Sequence, residues 1–559
     1  MRRLLCTVLL TTAAMAQTLR LRHPGPGEGP PPTPPGTGSL EGTVADSVSH
    51  APLKKAQVTL SGNIVPPLTA VTDSSGRFIF KALPAGQFWM NASKPGYTPP
   101  QSIFGDGGNS AATLADGEQK KGIEIPLQPG SAITGRIVNE EGVPVQHCGV
   151  NAVQNSTGQL RHFLMPIGWS QTNEKGEYRI DNLAPGRYYV MAHCQIELPA
   201  PHPLLPRRDP RIPHQTYMPQ FYGGGLDPAT ATRLALAAGA TLENIDFQLT
   251  RVPASTLRGT VVGGMLENPT GAVNLSLRPA NPLLRSLLSQ GAGIDPHDHK
   301  FQIQPVIPGS YVLDLFIFHE GRLAAAARRN VEIGATPPEP LEISLQEPAE
   351  LKGDVQTDSD DQPTPENGQI SLISLEDGFG PPQPQGRIEK DGSFTVTGIL
   401  PGRWRLSASL PGFIKSATLA GQPISPESFQ IAAGATGPLH ILIGTKFADV
   451  QVEVTGASAG RQVSVLIFPE DTERLGAGLE RLGTAAGATQ VLLPGMPPGR
   501  YRLLATAASN PWPILQRPDW LKALESHSAA VEVPEGGHVT ATVEIIPREE
   551  LMRVLEENQ

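Results

Sequence analysis

A proline–glycine turn leads into an aromatic strand at Leu183-Ala184-Pro185-Gly186-Arg187-Tyr188. Proline fixes φ at the first turn position and glycine tolerates a positive φ at the next, so the dipeptide suits a type II turn. Side chains alternate along a strand, and the aromatic residue two positions after the glycine therefore starts one face of it. The motif predicts a turn followed by a strand with one buried face.

The same motif occurs five times along the chain. The other copies are Leu83-Pro84-Ala85-Gly86-Gln87-Phe88, Ile307-Pro308-Gly309-Ser310-Tyr311, Leu400-Pro401-Gly402-Arg403-Trp404 and Pro498-Gly499-Arg500-Tyr501. Consecutive glycines are separated by 100, 123, 93 and 97 residues, and a single β-sandwich has about 100 residues. After Gly402, alternation places Trp404 and Leu406 inside and Arg403 outside. A spacing this regular indicates tandem repeats.

Three further signals accompany the turn in a fixed order. Strands of the type Gly-x-Val or Gly-x-x-Val open the first four units, at Gly42, Gly135, Gly259 and Gly353, and the fifth opens without the glycine at Val450. A hairpin signal comes before the turn at Asp73-Ser74-Ser75-Gly76-Arg77-Phe78, Asn173-Glu174-Lys175-Gly176-Glu177-Tyr178 and Lys390-Asp391-Gly392-Ser393-Phe394. Alternating strands close the five units at Ile123, Ile245, Leu341, Leu439 and Val543. No long helical period separates these strands, which argues against an α/β fold.

Together these signals predict an all-β chain of five tandem Ig-like or prealbumin-like β-sandwiches. The predicted domains are 38–128, 129–250 with an insertion, 251–346, 347–444 and 445–547. A short helix or tail is expected at 548–559, with Leu551, Val554 and Leu555 on one side. From His23 to Gly38, 12 of 16 residues are proline or glycine, which indicates an extended linker over 17–37.

The first residues of the chain resemble an export signal. Arg2 and Arg3 precede the apolar run Leu4–Leu10, and Ala14-Met15-Ala16 is an A-x-A cleavage site, which predicts a signal peptide at 1–16. The apolar run is too short to cross a bilayer, and no later segment has 18 consecutive apolar residues. We therefore expect a periplasmic, cell-surface or secreted protein without a transmembrane segment in the mature chain.

Charge and cysteine content narrow the choice of partner and compartment. The net charge is −9 with a pI near 5.8 and no long basic run, so nothing indicates a nucleic-acid partner. Two cysteines remain after the signal peptide, Cys148 and Cys194, an even number that is compatible with one disulfide in an oxidising compartment. Two buried free thiols are the alternative that the sequence leaves open.

The order of the motifs resembles the carboxypeptidase regulatory-like domain of bacterial secreted proteins. The first unit carries it most completely, at Gly42, Val44, Asp73, Gly76, Phe78, Leu83, Gly86, Phe88 and Gly96-Tyr97. The second and fourth units also match, and the third and fifth match by position. The resemblance implies a small prealbumin-like sandwich, related to the B-type repeats of collagen adhesins and similar in shape to starch-binding domains. These are turn and core positions, so the resemblance implies a fold and no activity.

The catalytic and metal-binding patterns are incomplete. None of the thirteen histidines is followed by glutamate at the third position, as a metallocarboxypeptidase site would require. His297-Asp298-His299 lacks a third ligand, and we interpret it as a solvated loop. Gly456-Ala457-Ser458-Ala459-Gly460 matches a nucleophile elbow, but strands on both sides predict a hairpin loop. We predict no enzyme activity, no metal and no cofactor.

Aromatic residues outside the core positions are the candidates for ligand contact. They are Tyr217, Phe221 and Tyr222 in the insertion of the second unit, Trp169 before its hairpin, and Trp512 and Trp520 in a polar segment that is predicted to contain a short helix. The alternative is that each insertion packs on its own sandwich.

The sequence favours an exported, non-catalytic binding or scaffold protein of the bacterial envelope or exterior, whose partner is a polysaccharide or an envelope protein. Two other functions stay open: a carbohydrate-binding protein with a starch-binding-like sandwich, and an accessory to outer-membrane uptake machinery. Exposed aromatic residues in the second unit would favour sugar binding, whereas a broad apolar patch would favour a protein partner.

Overall fold

A computed structural model describes residues 35–100, 109–158, 161–194, 214–263, 272–334, 336, 338–359, 368–375, 383–434, 437–457, 462–486, 489–508 and 510–557. The predicted signal peptide at 1–16 and most of the predicted linker at 17–37 lie outside these residues. Within them, every helix falls short of the length and apolarity needed to cross a membrane.

The chain forms two compact units. The first contains Met1–Ala45, His50–Lys94 and Asn109–Ile125, and the second contains Asp46–Ser49, Pro95–Gly108 and Pro126–Gln559. Buried side chains such as Leu40, Phe78 and Phe88 form the core of the first unit. The second unit holds several separate apolar cores, one for each of the second to fifth groups of strands described below.

The first group of strands is β1 Gly38–Asp46, β2 Gln57–Gly62, β3 Leu68–Val71, β4 Arg77–Leu83, β5 Gly86–Ser93, β6 Tyr97–Thr98, β7 Asn109–Leu114 and β8 Gln119–Pro129. One sheet has the order β3-β2-β5-β7, and the other has the order β4-β1-β8. The end of β8 also pairs with β6, where Pro129 is opposite Tyr97.

The second sandwich contains β9 Ser131–Asn139, β10 Gly149–Gly158, β11 Arg161–Gln171, β12 Glu177–Leu183, β13 Gly186–His193, β14 His214–Tyr217, β15 Gln220–Phe221, β16 Leu234–Leu236, β17 Thr241–Leu242 and β18 Phe247–Leu249. One sheet has the order β11-β10-β13-β15, with β16 also on β13, and the other has the order β12-β9-β17, with β18 also on β9. The core lies between these sheets and includes Ile133, Tyr178 and Tyr188.

The third sandwich contains β19 Arg251–Val262, β20 Val273–Pro279, helix α1 Arg285–Leu288, β21 Gln290–Ala292, β22 Lys300–Val306, β23 Gly309–His319, β24 Arg322–Ile333 and β25 Leu341–Ser344. Its sheets have the orders β14-β19-β22, with β25 also on β19, and β21-β20-β23-β24. The start of β19 therefore pairs with β14 of the second sandwich, where Arg251 is opposite Tyr217. The sheet is continuous across residue 250, where the sequence predicts a domain boundary. The predicted domain boundaries therefore stay a prediction.

The fourth sandwich contains β26 Ala349–Thr357, β27 Gln369–Ser374, β28 Gln385–Arg387, β29 Ser393–Ile399, β30 Gly402–Ser409, β31 Phe413–Leu419, β32 Gln422–Ile424, β33 Phe429–Ile431 and β34 Leu439–Gly444. Its sheets have the orders β29-β26-β34-β31-β32 and β28-β27-β30-β33. Trp404 and Leu406 are buried between them and Arg403 is exposed, as alternation predicts.

The fifth group contains β35 Ala448–Thr455, β36 Gln462–Pro469, β37 Arg481–Ala486, β38 Gln490–Met496, β39 Gly499–Thr506, helix α2 Pro518–Ala523, β40 Ala529–Val533, β41 Gly537–Ile546 and helix α3 Arg548–Glu557. Its seven strands form one continuous sheet of order β37-β36-β39-β41-β35-β38, with β40 also on β39. The sheet is continuous because the end of β39 pairs with the end of β41, at Ala505 and Ile545. The chain is an all-β protein of several sandwich-like domains, which confirms the predicted fold class.

The repeated turn motif has one structural role throughout the chain. Strands β5, β13, β23, β30 and β39 all begin at its glycine. In four copies the aromatic side chain donates a hydrogen bond to the carbonyl four residues earlier: Tyr188 to Ala184 at 2.7 Å, Tyr311 to Ile307 at 3.1 Å, Trp404 to Leu400 at 2.9 Å and Tyr501 to Pro497 at 3.0 Å. The first copy has Phe88, which has no donor. The aromatic residue therefore closes the turn as well as filling the core.

The turn itself is not of type II. Gly86, Gly309, Gly402 and Gly499 have φ between 151° and 155°, whereas the glycine of a type II turn has φ near +80°. The glycine is already the first residue of an extended strand, and this accounts for the difference. A residue with a side chain would be strained at such a φ.

The glycine of the opening strands lies under an aromatic ring. Gly42, Gly259 and Gly353 are directly opposite Phe78, Phe301 and Phe394 on the hairpin strand, and Gly135 is opposite Tyr178. A Cβ on Gly353 would lie 2.5 Å from Cζ of Phe394 and 2.0 Å from the carbonyl oxygen of Leu439. In the fifth group the corresponding pair is Val452 opposite Val491. No ring covers this position there, so the opening strand has no need of glycine.

Candidate binding surfaces

The insertion of the second sandwich packs on that sandwich. Strand β15 extends the sheet, with Phe221 opposite Met191, and Phe221 is only 1% exposed. Tyr217 is also buried, and the ring of Tyr222 contacts that of Phe247 edge to face, with centroids 6.0 Å apart. The rings of Phe221 and Tyr217 are therefore unavailable for stacking on a ligand, because the insertion supplies strands that complete the sheets.

The two tryptophans near the C-terminus have different environments. Trp520 in α2 is 5% exposed and belongs to a second apolar core, which α3 closes with Leu551 and Leu555. The guanidinium of Arg517 stacks on its ring at 4.4 Å. Trp512 begins a 3-10 turn, Trp512–Gln516, and is 38% exposed. Trp520 is thus a core residue, whereas Trp512 stays accessible.

Trp169 is the most exposed of the predicted contact residues. It is 69% exposed on β11, the terminal strand of its sheet. Met165 and Ile167 on the same strand are also exposed. Ile167 has no partner on β10, because Gly168 and Pro166 are opposite the consecutive residues Ala152 and Val153, which makes a β-bulge. Apolar side chains on an edge strand are a common feature of surfaces that pair with another chain.

Cys148 and Cys194 are joined by a disulfide that closes a loop of 46 residues. They flank the antiparallel pair β10 and β13, in which Gly149 is opposite His193, and their Cα atoms are 4.5 Å apart. Both cysteines are buried. Burial also lowers the pKa of the neighbouring His193.

The histidine cluster that resembled a metal site has a structural role. His297-Asp298-His299 forms the hairpin turn before β22, and Asp298 forms an ion pair with Lys300 at 2.7 Å, which lowers the pKa of Asp298. His299 has φ of 56° and occupies the left-handed position that glycine takes in the other hairpins. Among the described residues, no three His, Cys, Asp or Glu side chains are placed to hold a metal. Residues 458–460 of the Gly-x-Ser-x-Gly pattern lie outside the described part of the chain.

Helix α1 of the third sandwich packs on the outer face of the second. The residues around this helix, Leu283, Leu284, Leu287 and Leu288, contact an apolar cluster that includes Val153, Leu164, Met191 and Phe221. The hydroxyl of Ser286 donates a hydrogen bond to the carbonyl of Leu164. The part of the outer sheet face around Leu164 and Phe221 is therefore buried as well.

Polar contacts join the fourth sandwich to the fifth. The guanidinium of Arg405 donates to the carbonyls of Leu475 at 2.8 Å and Glu473 at 3.0 Å, and Arg474 forms an ion pair with Glu427 at 2.7 Å. Burial would raise the pKa of Glu427, but hydrogen bonds from Ser425 and Arg474 outweigh it, so the pKa lies below its ordinary value. A cleft of about 710 Å³ lies beside these contacts, lined by residues that include Phe413, Phe447 and Arg481.

Trp89 is an exposed aromatic residue that the sequence reasoning missed. It is 45% exposed on β5 of the first unit, and the turn motif had directed attention to its neighbour Phe88, which is buried. Consecutive residues of a strand point to opposite faces. The pair Phe88-Trp89 therefore carried the signal, because only one of its two rings can enter the core.

The comparisons with known proteins identify one domain. Residues 39–127 match the carboxypeptidase regulatory-like domain, and this part of the chain is a domain of that type. No curated protein sequence matches the chain. Similar solved structures include GBS52, the minor pilin of Streptococcus agalactiae (13% identity, covering 39% of this chain and 97% of that one, TM-score 0.22). They also include BcpA, the major pilin subunit of Bacillus cereus (9% identity, 73% and 99% covered, TM-score 0.15). TM-scores this low carry no argument about function.

Proposed function

We propose that this chain is an exported, non-catalytic binding and scaffold protein of the bacterial envelope or exterior. The observation that carries the proposal is the way in which neighbouring sandwiches of the second compact unit are joined. The second and third share the β14–β19 pairing and the cluster under α1. The fourth and fifth are joined by the Arg405 and Arg474 contacts. A shared sheet and an apolar interface, as between the second and third sandwiches, favour a fixed separation of domains, and a scaffold needs such fixed separations.

Two features support an exported location. Residues 1–16 have the charge, apolar run and small-residue site of a signal peptide. The Cys148–Cys194 disulfide belongs to the kind of bond that persists in oxidising compartments and is rare in the cytosol.

We place the partner surface on the exposed edge strand β11, around Trp169. Its ring is exposed on the sheet face that carries Asn151, the residue opposite Trp169. Met165, opposite Gln154, is exposed on the other face. Exposed tryptophans are frequent anchors in protein interfaces, because a large ring buries much apolar area at a small entropic cost. The partner is expected to be an envelope protein.

Cell fractionation tests the export of the chain. The full chain with its own N-terminus is produced in a Gram-negative host, and the protein is recovered from the cytosol, periplasm and medium. We expect the mature protein outside the cytosol, with a mass that corresponds to cleavage after Ala16 and with both remaining cysteines oxidised. An uncleaved, reduced chain in the cytosol would contradict the proposed location.

Site-specific photo-crosslinking in the native producer tests the partner surface. Trp169 is replaced by p-benzoylphenylalanine, and the same replacement at Val143 is the control, because Val143 is an exposed apolar residue of the same sandwich. We expect a discrete adduct with one envelope protein from position 169 and none from position 143. Equal labelling from both positions, or none from either, would refute the placement of the surface on β11.

A further inference from the structure

One sheet of the first compact unit carries a single exposed aromatic ring on its inner strand β5. Trp89 lies on β5, and its direct neighbours across the sheet are Ser61 on β2 and Ala111 on β7. Both neighbours have small side chains, so neither can cover the indole from the side. Phe88 and Met90 on the same strand are buried, which fixes Trp89 on the outer face. The ring is therefore open to solvent, with only small side chains on either side of it.

The backbone holds the indole close to the sheet. Gly62 ends β2 beside it with φ of 124°, a conformation that favours glycine. A Cβ at this position would lie 3.1 Å from Cε3 of Trp89. The six-membered part of the indole thus lies close to a residue without a side chain.

Neutral hydrogen-bonding side chains surround the ring. Alternation places Gln87 and Asn91 of β5 on the same outer face as Trp89. Across the sheet, Asn91 is opposite Thr59 of β2, and Gln87 is opposite Thr113 of β7. Amide and hydroxyl groups both donate and accept hydrogen bonds, as the hydroxyl groups of a sugar do.

The strands of the Trp89 sheet carry no charged residues, which favours an uncharged ligand. None of the residues in β2, β3, β5 and β7, all of which belong to the described chain, is charged. Charged side chains of the unit are on the other sheet, where β4 carries Arg77 and Lys81, and in turns. One of them reaches the edge of this sheet, because Lys120 of β8 donates a hydrogen bond to the carbonyl of Thr113 on β7 at 3.2 Å. An anionic or cationic polymer would find no counter-charge on β2 and β5 beside Trp89, whereas a neutral polyol needs none.

We propose that the Trp89 face binds a neutral polysaccharide. One sugar ring stacks its C–H surface on the indole, and hydroxyl groups of the same or adjacent sugars bond to Gln87, Asn91 and Thr113. A protein partner fits this face less well, because a large contiguous apolar patch is the usual mark of such a surface, and here one ring is surrounded by polar groups. The proposal is independent of the β11 surface, which lies in the other compact unit.

Binding of neutral glycans by the chain from Gln17 tests the proposal. The probes are amylopectin, glycogen, mixed-linkage β-glucan, galactomannan and arabinoxylan, with alginate and polygalacturonate as charged comparators. We expect saturable binding to at least one neutral polymer, and little change in affinity between low and high salt, because no ion pairs form. Absence of binding to every neutral polymer, or salt-sensitive binding to the charged polymers alone, would overturn the proposal.

Two variants separate this face from others. Trp89→Ala is expected to weaken binding to the neutral polymer by about tenfold, the size of one lost ring contact, whereas Trp89→Tyr should retain most of it. Trp169→Ala, at an exposed tryptophan in the other compact unit, is the matched control and should bind as the parent chain does. Equal losses in both alanine variants would contradict the proposal. Unchanged melting temperatures will show that both variants are folded, since both side chains are exposed. Crosslinking from position 169 is judged separately, so the two proposals fail independently.

Discussion

Gly259→Ala tests the pairing of an opening glycine with an aromatic ring. Gly259 on β19 is opposite Phe301 on β22 and beside Leu341 on β25. A Cβ at this position would lie 2.5 Å from Cζ of Phe301 and 2.7 Å from the carbonyl oxygen of Leu341. The ring can rotate away only by displacing its neighbours in the core, and the carbonyl belongs to the sheet ladder. The added methyl group therefore forces the two outer strands away from β19.

The size of the effect follows from two opposing contributions. Overpacking by one methyl group costs about 1–3 kcal/mol, and two close contacts, one of them with backbone, place this site at the upper end. Replacing a strand glycine by alanine recovers about 0.5–1 kcal/mol of chain entropy. The net destabilisation of the third sandwich should be about 2 kcal/mol. In a domain of this size each kcal/mol lowers the melting temperature by roughly 4–8 °C.

Hydrogen exchange measured by mass spectrometry can locate the effect, because unfolding of a multidomain chain need not be two-state. We expect faster exchange in peptides from β19, β22 and β25. Gly293→Ala is the control in the same sandwich, since an added Cβ there meets no heavy atom within 4 Å. Phe301→Leu should rescue part of the loss in the double variant. If Gly259→Ala and Gly293→Ala show the same hydrogen exchange and the same melting temperature, the close contacts do not explain why residue 259 is glycine.

Three further predictions concern buried groups. Thiol titration of the denatured, unreduced protein should find no free thiol from Cys148 and Cys194, and Cys194→Ser should lower the free energy of unfolding of the second sandwich by ~3–4 kcal/mol for a loop of 46 residues; two free thiols would contradict the pairing. Burial raises the pKa of Tyr188 to about 12. The unfolded chain therefore releases this proton near pH 10 while the folded chain keeps it, and the free energy of unfolding should fall as pH rises from 10 to 12. A Tyr188→Phe variant with the same loss over that range would argue against this assignment. Asp314 is fully buried between Arg278 and Arg328. Asp314→Ala should lower the free energy of unfolding, measured in urea, by about 3–5 kcal/mol because it leaves the Arg278 charge uncompensated. Asp298→Ala, at an exposed ion pair, should lower it by less than about 1 kcal/mol, and equal losses in the two variants would show that burial of the pair is unimportant.

Much of the fold could be read from short segments of the sequence. A strand follows each turn motif as predicted, although it begins at the glycine and not at the aromatic residue, and Trp404 and Leu406 enter the core as alternation requires. The hairpin signals also hold, since the carboxylate of Asp73 accepts hydrogen bonds from the amides of Ser75 and Arg77. These features depend on residues at most four positions apart, and for that reason they are visible without the rest of the molecule.

The binding surfaces were predicted less well. The sequence predicts that aromatic residues in the insertion are candidates for ligand contact, but Phe221 is covered by Leu284 and its neighbours from the third sandwich. Trp520 is covered by α3. Trp89 is not among the predicted contact residues, because the turn motif indicates only Phe88, its neighbour on the same strand. Whether a ring is exposed depends on the residues that pack against it. For Phe221 and Trp520 those residues come from a distant part of the sequence.

The sequence by itself determined the all-β class, the repeated turn and hairpin positions, and the positions of the opening strands. Each of these follows from backbone conformation or from side-chain alternation within one strand. Only the tertiary structure decided that β19 joins two sandwiches, that the fifth group forms one continuous sheet, and which tryptophans face solvent. Those outcomes depend on which surfaces are brought together by packing between sheets and helices that lie tens of residues apart in the chain. The burial of a side chain is fixed by that packing and not by its neighbours in sequence.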